Sequence, residues 1–284
     1  MHTYPAPANR KSLSGLYRVI RWFVWLFSPK YELRGTENLP DGPCVIVGNH
    51  CQMNGPIAAE LYTPGPHKTW CIAEMMTKGE VAEYAFNDFW SGKPARSRWF
   101  FRLLSRCIEP LSLLIFTNAE TIPAYRGGRA YKTFRQSIEA LEEGRRVVIF
   151  PECYTERNNI IHEFQSAFVD LARLYYRKTG QPVTFVPLYL APRLGVMQYG
   201  EGVAFDPEAP GDGERDRICG ELMARITEMG LALPEHTVIP YPNIPPRNFP
   251  KSRPLVEATP RVPGEPLLVD SPGLERVTGS PERR

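Results

Sequence analysis

Paired cysteines at metal or redox spacing are missing from this chain. Its six cysteines, Cys44, Cys51, Cys71, Cys107, Cys153 and Cys219, contain no Cys-x-x-Cys, which removes the usual zinc and thiol–disulfide motifs. His50, Cys51, His67, Cys71 and His162 follow no ligand spacing either, so neither a metal nor a cofactor is expected. No secretory leader with a small-residue cleavage site opens the sequence, and free thiols in a reduced setting are expected over a disulfide framework. Long apolar runs are also lacking: within residues 12–27 the unbroken run is Trp22 to Phe27, far short of the ~20 residues that span a bilayer. No internal repeat is present. Acid is scarce at the start, where Arg10, Lys11, Arg18, Arg21, Lys30 and Arg34 face Glu32 alone across residues 1–34.

That local positive charge is interleaved with Trp22, Phe23, Trp25, Leu26 and Phe27. Nucleic acid would not call for such an apolar face, whereas a membrane surface would accept both features. A helix over residues 12–27, lying in the headgroup region with Arg18 and Arg21 reaching phosphates, is therefore expected; packing on its own domain is the alternative. At 284 residues and 43% hydrophobic composition, the chain can bury a sizeable core.

From Tyr31 onward, short β-branched runs alternate with helical periodicity. Strands are predicted at 44–48, 69–73, 120–124, 146–150 and 183–190, and helices at 130–143, about 163–178 and about 213–230. The pattern predicts an α/β fold with a mixed central sheet flanked by helices. Residues 98–116 carry Arg98, Arg102 and Arg106 on one helical face, with Pro110 expected to end the pattern early. Beyond residue 239 the composition turns proline-rich, which predicts an extended wrap over the domain to about residue 254 and disorder after it. The expected organisation is an interfacial helix at 1–30, one domain at 31–238 and an extension at 239–284.

Two strands end in polar clusters, "VIVGNH" at His50 and "VVIFPE" at Glu152. Ligands of α/β sheets bind beyond strand ends, so both clusters can face one site. A histidine near its free pKa can take the proton of an alcohol attacking a thioester, once a second group fixes its tautomer. A thiol nucleophile at Cys51 or Cys153 is an alternative chemistry. His162-Glu163 reads as a helix-start neighbourhood.

The order "YELRGTENLPDGPCVIVGNH", "IPAYRGGRAYKTFRQSIEALEEGRRVVIFPE" and "VTFVPLYL", over roughly residues 31–195, resembles the PlsC-like glycerolipid acyltransferase family, which includes the lysophosphatidate acyltransferases. The resemblance implies a glycerol-3-phosphate acyltransferase-like fold and an acyltransferase on the cytoplasmic face of a membrane. It would move an acyl chain from acyl-CoA or acyl carrier protein to a lysolipid hydroxyl, with His50 as base. Arg126, Arg129 and Arg157 are candidates for a phosphate-bearing acceptor, because a guanidinium offers paired donors and keeps its charge. Glu152 would position arginines or the acceptor's glycerol.

The chain departs from the family motifs in two places. Gly55 stands where the family has an aspartate, leaving Asn54 as the expected orienting partner of His50, with Glu60 or Glu152 as substitutes. "FPECYTER" replaces Phe-Pro-Glu-Gly-Thr-Arg, so the next arginine comes two positions late. A non-catalytic lipid-binding member of the same fold is the alternative function.

Overall fold

The computed structural model describes residues 14–90 and 94–252. The beginning of the first helix at Ser12 and the tail beyond residue 254 lie outside the described residues. Helix α1 (Gly15–Phe27) starts where the Ser14 side-chain oxygen accepts the Tyr17 N–H at 3.2 Å, filling one open donor of the first turn. There follow β1 (Glu32–Arg34), β2 (Cys44–Gly48), α2 (Asn54–Tyr62), β3 (His67–Ile72), α3 (Val81–Ala85), α4 (Arg98–Asn118), β4 (Ile122–Ala124) and α5 (Ala130–Glu142). The chain continues through β5 (Arg146–Ile149), β6 (Glu152–Glu156), β7 (His162–Phe164), α6 (Asp170–Thr179), β8 (Thr184–Ala191), β9 (Val196–Tyr199), β10 (Val203–Ala204) and α7 (Gly211–Ala232).

The main sheet runs β1-β9-β8-β2-β5-β3-β4, with β10 paired to β8. Its five neighbouring strands β8, β2, β5, β3 and β4 are parallel, while β9 and β10 pair antiparallel with β8. This is a mixed α/β sheet flanked by helices. Strand β2 sits between β5 and β8 and is buried on both faces, which explains its continuous apolar run rather than an alternating one. Val45 and Val47 join the core under α5, α6 and α7, whereas Cys44 and Ile46 join the core that holds Ala58, Ala59 and Leu61 of α2. Successive side chains pointing to opposite faces produce that division.

Helix α5 buries Ile138 and Leu141, while Tyr131, expected on the same face, is exposed. Gly144 just beyond it takes φ +75°, the left-handed stop that glycine supplies most cheaply. Helix α7 buries Ile218, Leu222, Ile226 and Met229, all four at the expected spacing.

Three readings are corrected here. Pro110 does not end α4, which continues to Asn118. Neighbouring packing outweighs the lost backbone bond: Ser112 is buried, with its hydroxyl donating to the Met75 carbonyl at 2.7 Å. His162 lies in β7, paired with β6, and not at a helix start. Arg21 does not reach outward for phosphate; it is 7% exposed and donates to the Glu60 carboxylate at 3.1 Å and the Glu60 carbonyl at 2.9 Å.

Candidate active site

The site begins where β2 leaves the sheet. Asn49, only 2% exposed, accepts the Leu190 N–H at 2.8 Å and donates to the Leu190 carbonyl at 3.0 Å, so its amide continues the ladder to β8 past the strand end. The chain then turns sharply: Cys51 and Gln52 take φ +48° and +55° in succession. For residues with a Cβ this costs roughly 1–2 kcal/mol each. The turn closes when the Gly55 N–H donates to the His50 carbonyl at 2.9 Å. A Cβ at Gly55 would lie 2.4 Å from that oxygen. An aspartate therefore cannot occupy this position without opening the turn, which gives the missing carboxylate a steric cause.

Strand β5 neighbours β2 in parallel register, so Phe150, Pro151 and Glu152 emerge beside His50. Glu152, 3% exposed, accepts the His50 main-chain N–H on Oε2 at 2.5 Å and the His162 N–H on Oε1 at 2.9 Å. One carboxylate thus ties the end of β2 to β7. Burial pushes its pKa up to about 7, with the two N–H donors pulling the other way.

The His50 ring meets Phe150 at 5.6 Å and Tyr241 at 5.5 Å between centroids, both edge-on. Its Nδ1 is buried and has no hydrogen-bond partner among the described residues. Burial lowers the imidazole pKa, and the Gln52 and His50 carbonyls push it back up without aligning on Nδ1. The ring is consequently held neutral at pH 7, the state a general base requires.

The other candidates are distributed as follows. Asn54 donates its side-chain N–H to the Cys51 carbonyl at 3.0 Å and serves the turn, not the His50 ring. Glu60 accepts from Arg21 and from the Tyr17 hydroxyl at 3.2 Å. Arg126 and Arg129 are exposed beyond β4, at the same end of the sheet but three strand spacings from β2, roughly 14 Å. Arg129 lies over the Tyr125 ring at 5.1 Å. Arg157 pairs with Glu163 at 3.0 Å across the β6–β7 hairpin. Cys51 is buried, and burial with the nearby Glu152 charge pushes its thiol well above the ordinary range, the reverse of what a nucleophilic cysteine needs. Among the described residues no three His, Cys, Asp or Glu side chains gather as a metal-ligand set.

Two residues of this neighbourhood were not read as part of it from the sequence. His162, 9% exposed, has a buried Nδ1 without a partner among the described residues and faces the Tyr241 ring at 6.2 Å. Tyr241 itself comes from the proline-rich segment 89 residues after Glu152. A pairing so distant leaves no local pattern in the chain.

Away from the sheet end, α1 and α4 meet where Ser14 N–H donates to Asn118 Oδ1 at 3.1 Å and Tyr17 packs on Ala119 and Ile115. The pair leaves large apolar side chains in solvent: Trp22, Phe23 and Phe27 on α1, and Trp99, Phe100 and Leu103 on α4, with Phe27 82% exposed. Arg98, Arg102 and Arg106 line one shallow groove with Trp99 and Leu103. No described helix is long and apolar enough to cross a membrane.

No protein-family model matches the chain, and no curated protein matches it. Among solved structures it is similar to the 1-acyl-sn-glycerophosphate (LPA) acyltransferase PlsC from Thermotoga maritima, with a TM-score of 0.44 and 18% identity over 75% of this chain and 80% of that one.

Proposed function

We propose that the protein is an acyltransferase that moves a fatty acyl group from an acyl thioester, acyl-CoA or acyl carrier protein, to the hydroxyl of a lysophospholipid-type acceptor at the cytoplasmic face of a membrane. The observation that carries this reading is His50: a half-buried imidazole at the end of a central parallel strand, its pKa lowered by desolvation, its backbone locked by Glu152 and its Nδ1 enclosed. The order of motifs around it, which resembles the glycerolipid acyltransferases, supplies the reaction class.

In the reaction, His50 takes the acceptor's hydroxyl proton through Nε2, the ring nitrogen opposite the enclosed Nδ1. The freed oxygen attacks the thioester carbonyl, an O–C bond forms, and collapse of the tetrahedral oxyanion breaks the C–S bond. The leaving thiolate then takes the proton from the imidazolium. No cofactor enters the sequence. Arg126 and Arg129, exposed at the same sheet end, suit the acceptor's phosphate, while Arg157 would first have to leave Glu163. The apolar and arginine-bearing surface of α1 and α4 suits anionic lipid.

The unpartnered Nδ1 favours a second reading, a non-catalytic lipid-binding protein of the same fold. Purified protein with acyl-CoA and lysophosphatidate separates the two. Release of CoA that is lost in His50→Ala supports the enzyme; lipid binding without turnover on any of several lysolipids supports the binder.

A further inference from the structure

We propose that Tyr241 is a positioning residue for His50, fixing by contact a ring that no carboxylate holds. This rests on the reading of His50 as the base. The segment from His236 to Ser252 is a loop closed at its foot. The Ser252 N–H donates to the His236 carbonyl at 2.9 Å, the His236 N–H to Ser252 Oγ at 3.0 Å and the Val238 N–H to the Pro250 carbonyl at 2.9 Å. That foot stands on β8, because the Tyr189 hydroxyl meets His236 Nε2 at 2.7 Å.

The body of the loop is stiff where it crosses the site. Tyr241 lies between Pro240 and Pro242, and a residue before proline is confined to extended backbone. Pro242 then accepts the Gln52 side-chain N–H at 3.1 Å. Gln52 is the second left-handed residue of the turn that follows His50. The loop is thus tied to the segment that carries the base, two residues from it.

From this fixed backbone the Tyr241 ring meets the His50 ring at 5.5 Å and 84°, Tyr154 at 5.2 Å and His162 at 6.2 Å. Phe150 supplies a second edge contact to His50 at 5.6 Å. Rotation of the imidazole about its Cβ–Cγ bond would drive its edges into these two rings. Nδ1 has no hydrogen-bond partner among the described residues, and Asn54 is engaged in the turn. Aromatic packing therefore does the orienting.

The test uses the full chain with nitrogen-15-labelled histidine. Ring-nitrogen resonances of His50, assigned by comparison with His50→Gln, report its tautomer and its motion. In the wild type they should show one tautomer in a single environment. Tyr241→Ala should average or broaden them, and Tyr241→Phe should restore the wild-type pattern. If Tyr241→Ala fails to fold by circular dichroism, Gln52→Ala, which only releases the loop from the turn, carries the same expectation. Unchanged His50 resonances in the folded variant overturn the proposal. In the CoA-release assay, Tyr241→Ala should lower kcat about ten- to hundredfold with KM little changed, and Tyr241→Phe should recover it. Absence of turnover in every protein, wild type included, sinks the acyltransferase reading, and the resonances then decide the positioning on their own.

Discussion

Glu152 and His50, 102 residues apart, are joined by a hydrogen bond of 2.5 Å from the histidine's main-chain N–H to the glutamate's Oε2. The carboxylate holds the backbone of His50 and not its ring. Glu152 thereby determines where the end of β2 sits, while the orientation of the imidazole is left to other contacts.

Such a buried carboxylate makes stability depend on pH. The Glu152 pKa is pushed from 4.5 up to about 7, so between these values the folded chain keeps a proton that the unfolded chain releases. Stability must fall as pH rises across that window, by about 3 kcal/mol in all, and level off above it. Glu152→Gln has no such titration and should show a flatter slope. Urea midpoints of the two proteins between pH 4.5 and 7.5 check this; equal slopes would show that Glu152 does not titrate there.

His50 gives a complementary expectation for turnover. Burial places its pKa below the ordinary 6.5, so it stays neutral further into acid than a free imidazole would. The acid limb that His50 contributes to the kcat/KM profile should lie below pH 6.5. His50→Ala should cost on the order of 10²–10⁴ in kcat, the usual worth of a general base. CoA release measured from pH 5 to 8 in wild type and in Glu152→Gln separates the histidine's limb from any contributed by the glutamate.

Much of this architecture was legible in the chain, for reasons that differ by element. Strand β2 and the helix carrying Ile218, Leu222, Ile226 and Met229 were readable because burial imposes a pattern on neighbouring residues. His50 and Glu152 were readable as strand-end residues of neighbouring parallel strands. Strands β1, β7 and β10 were not, since runs of two or three residues carry no periodicity. The roles of Glu152 and Tyr241 were hidden for another reason. Each acts on His50 from about a hundred residues or more away, Glu152 on its main-chain N–H and Tyr241 on its ring.

Gly55 offers a direct test of the turn. Its Cβ position lies 2.4 Å from the His50 carbonyl oxygen and 2.9 Å from the carbonyl carbon. Gly55→Ala should destabilise by about 1–3 kcal/mol, the usual cost of overpacking. Gly55→Asp should be no more stable and should not raise turnover, because the turn must open before a carboxylate fits. Thermal denaturation and CoA release measure the two effects; a stable and faster Gly55→Asp protein would refute this account of the turn.

Arg21 and Glu60 hold α1 to α2 from inside. The guanidinium reaches both the carboxylate and the main-chain carbonyl of Glu60, with 8% and 16% of the two side chains exposed. Arg21→Met leaves a poorly solvated carboxylate and should cost about 3 kcal/mol. Adding Glu60→Leu should recover most of that loss, since removing both partners leaves no uncompensated charge. Hydrogen exchange along α1 in the three proteins is the measurement, and equal protection in all of them would show that the pair does not hold the helix.

The proposed membrane attachment through the exposed faces of α1 and α4 divides into two terms that respond differently to salt. Trp22, Phe23 and Phe27 contribute through apolar burial, which salt does not screen. Arg98, Arg102 and Arg106 on one face of α4 contribute about 1 kcal/mol each near an anionic surface, and this is lost within a Debye length. Replacing all three arginines by glutamine should therefore weaken binding to anionic vesicles on the order of a hundredfold at low salt and far less at 0.5 M. Trp22→Ser with Phe23→Ser should weaken it about equally at both salt concentrations. Vesicle flotation with anionic and neutral lipid reads both terms, and attachment that survives both sets of substitutions would place the membrane contact elsewhere on the molecule.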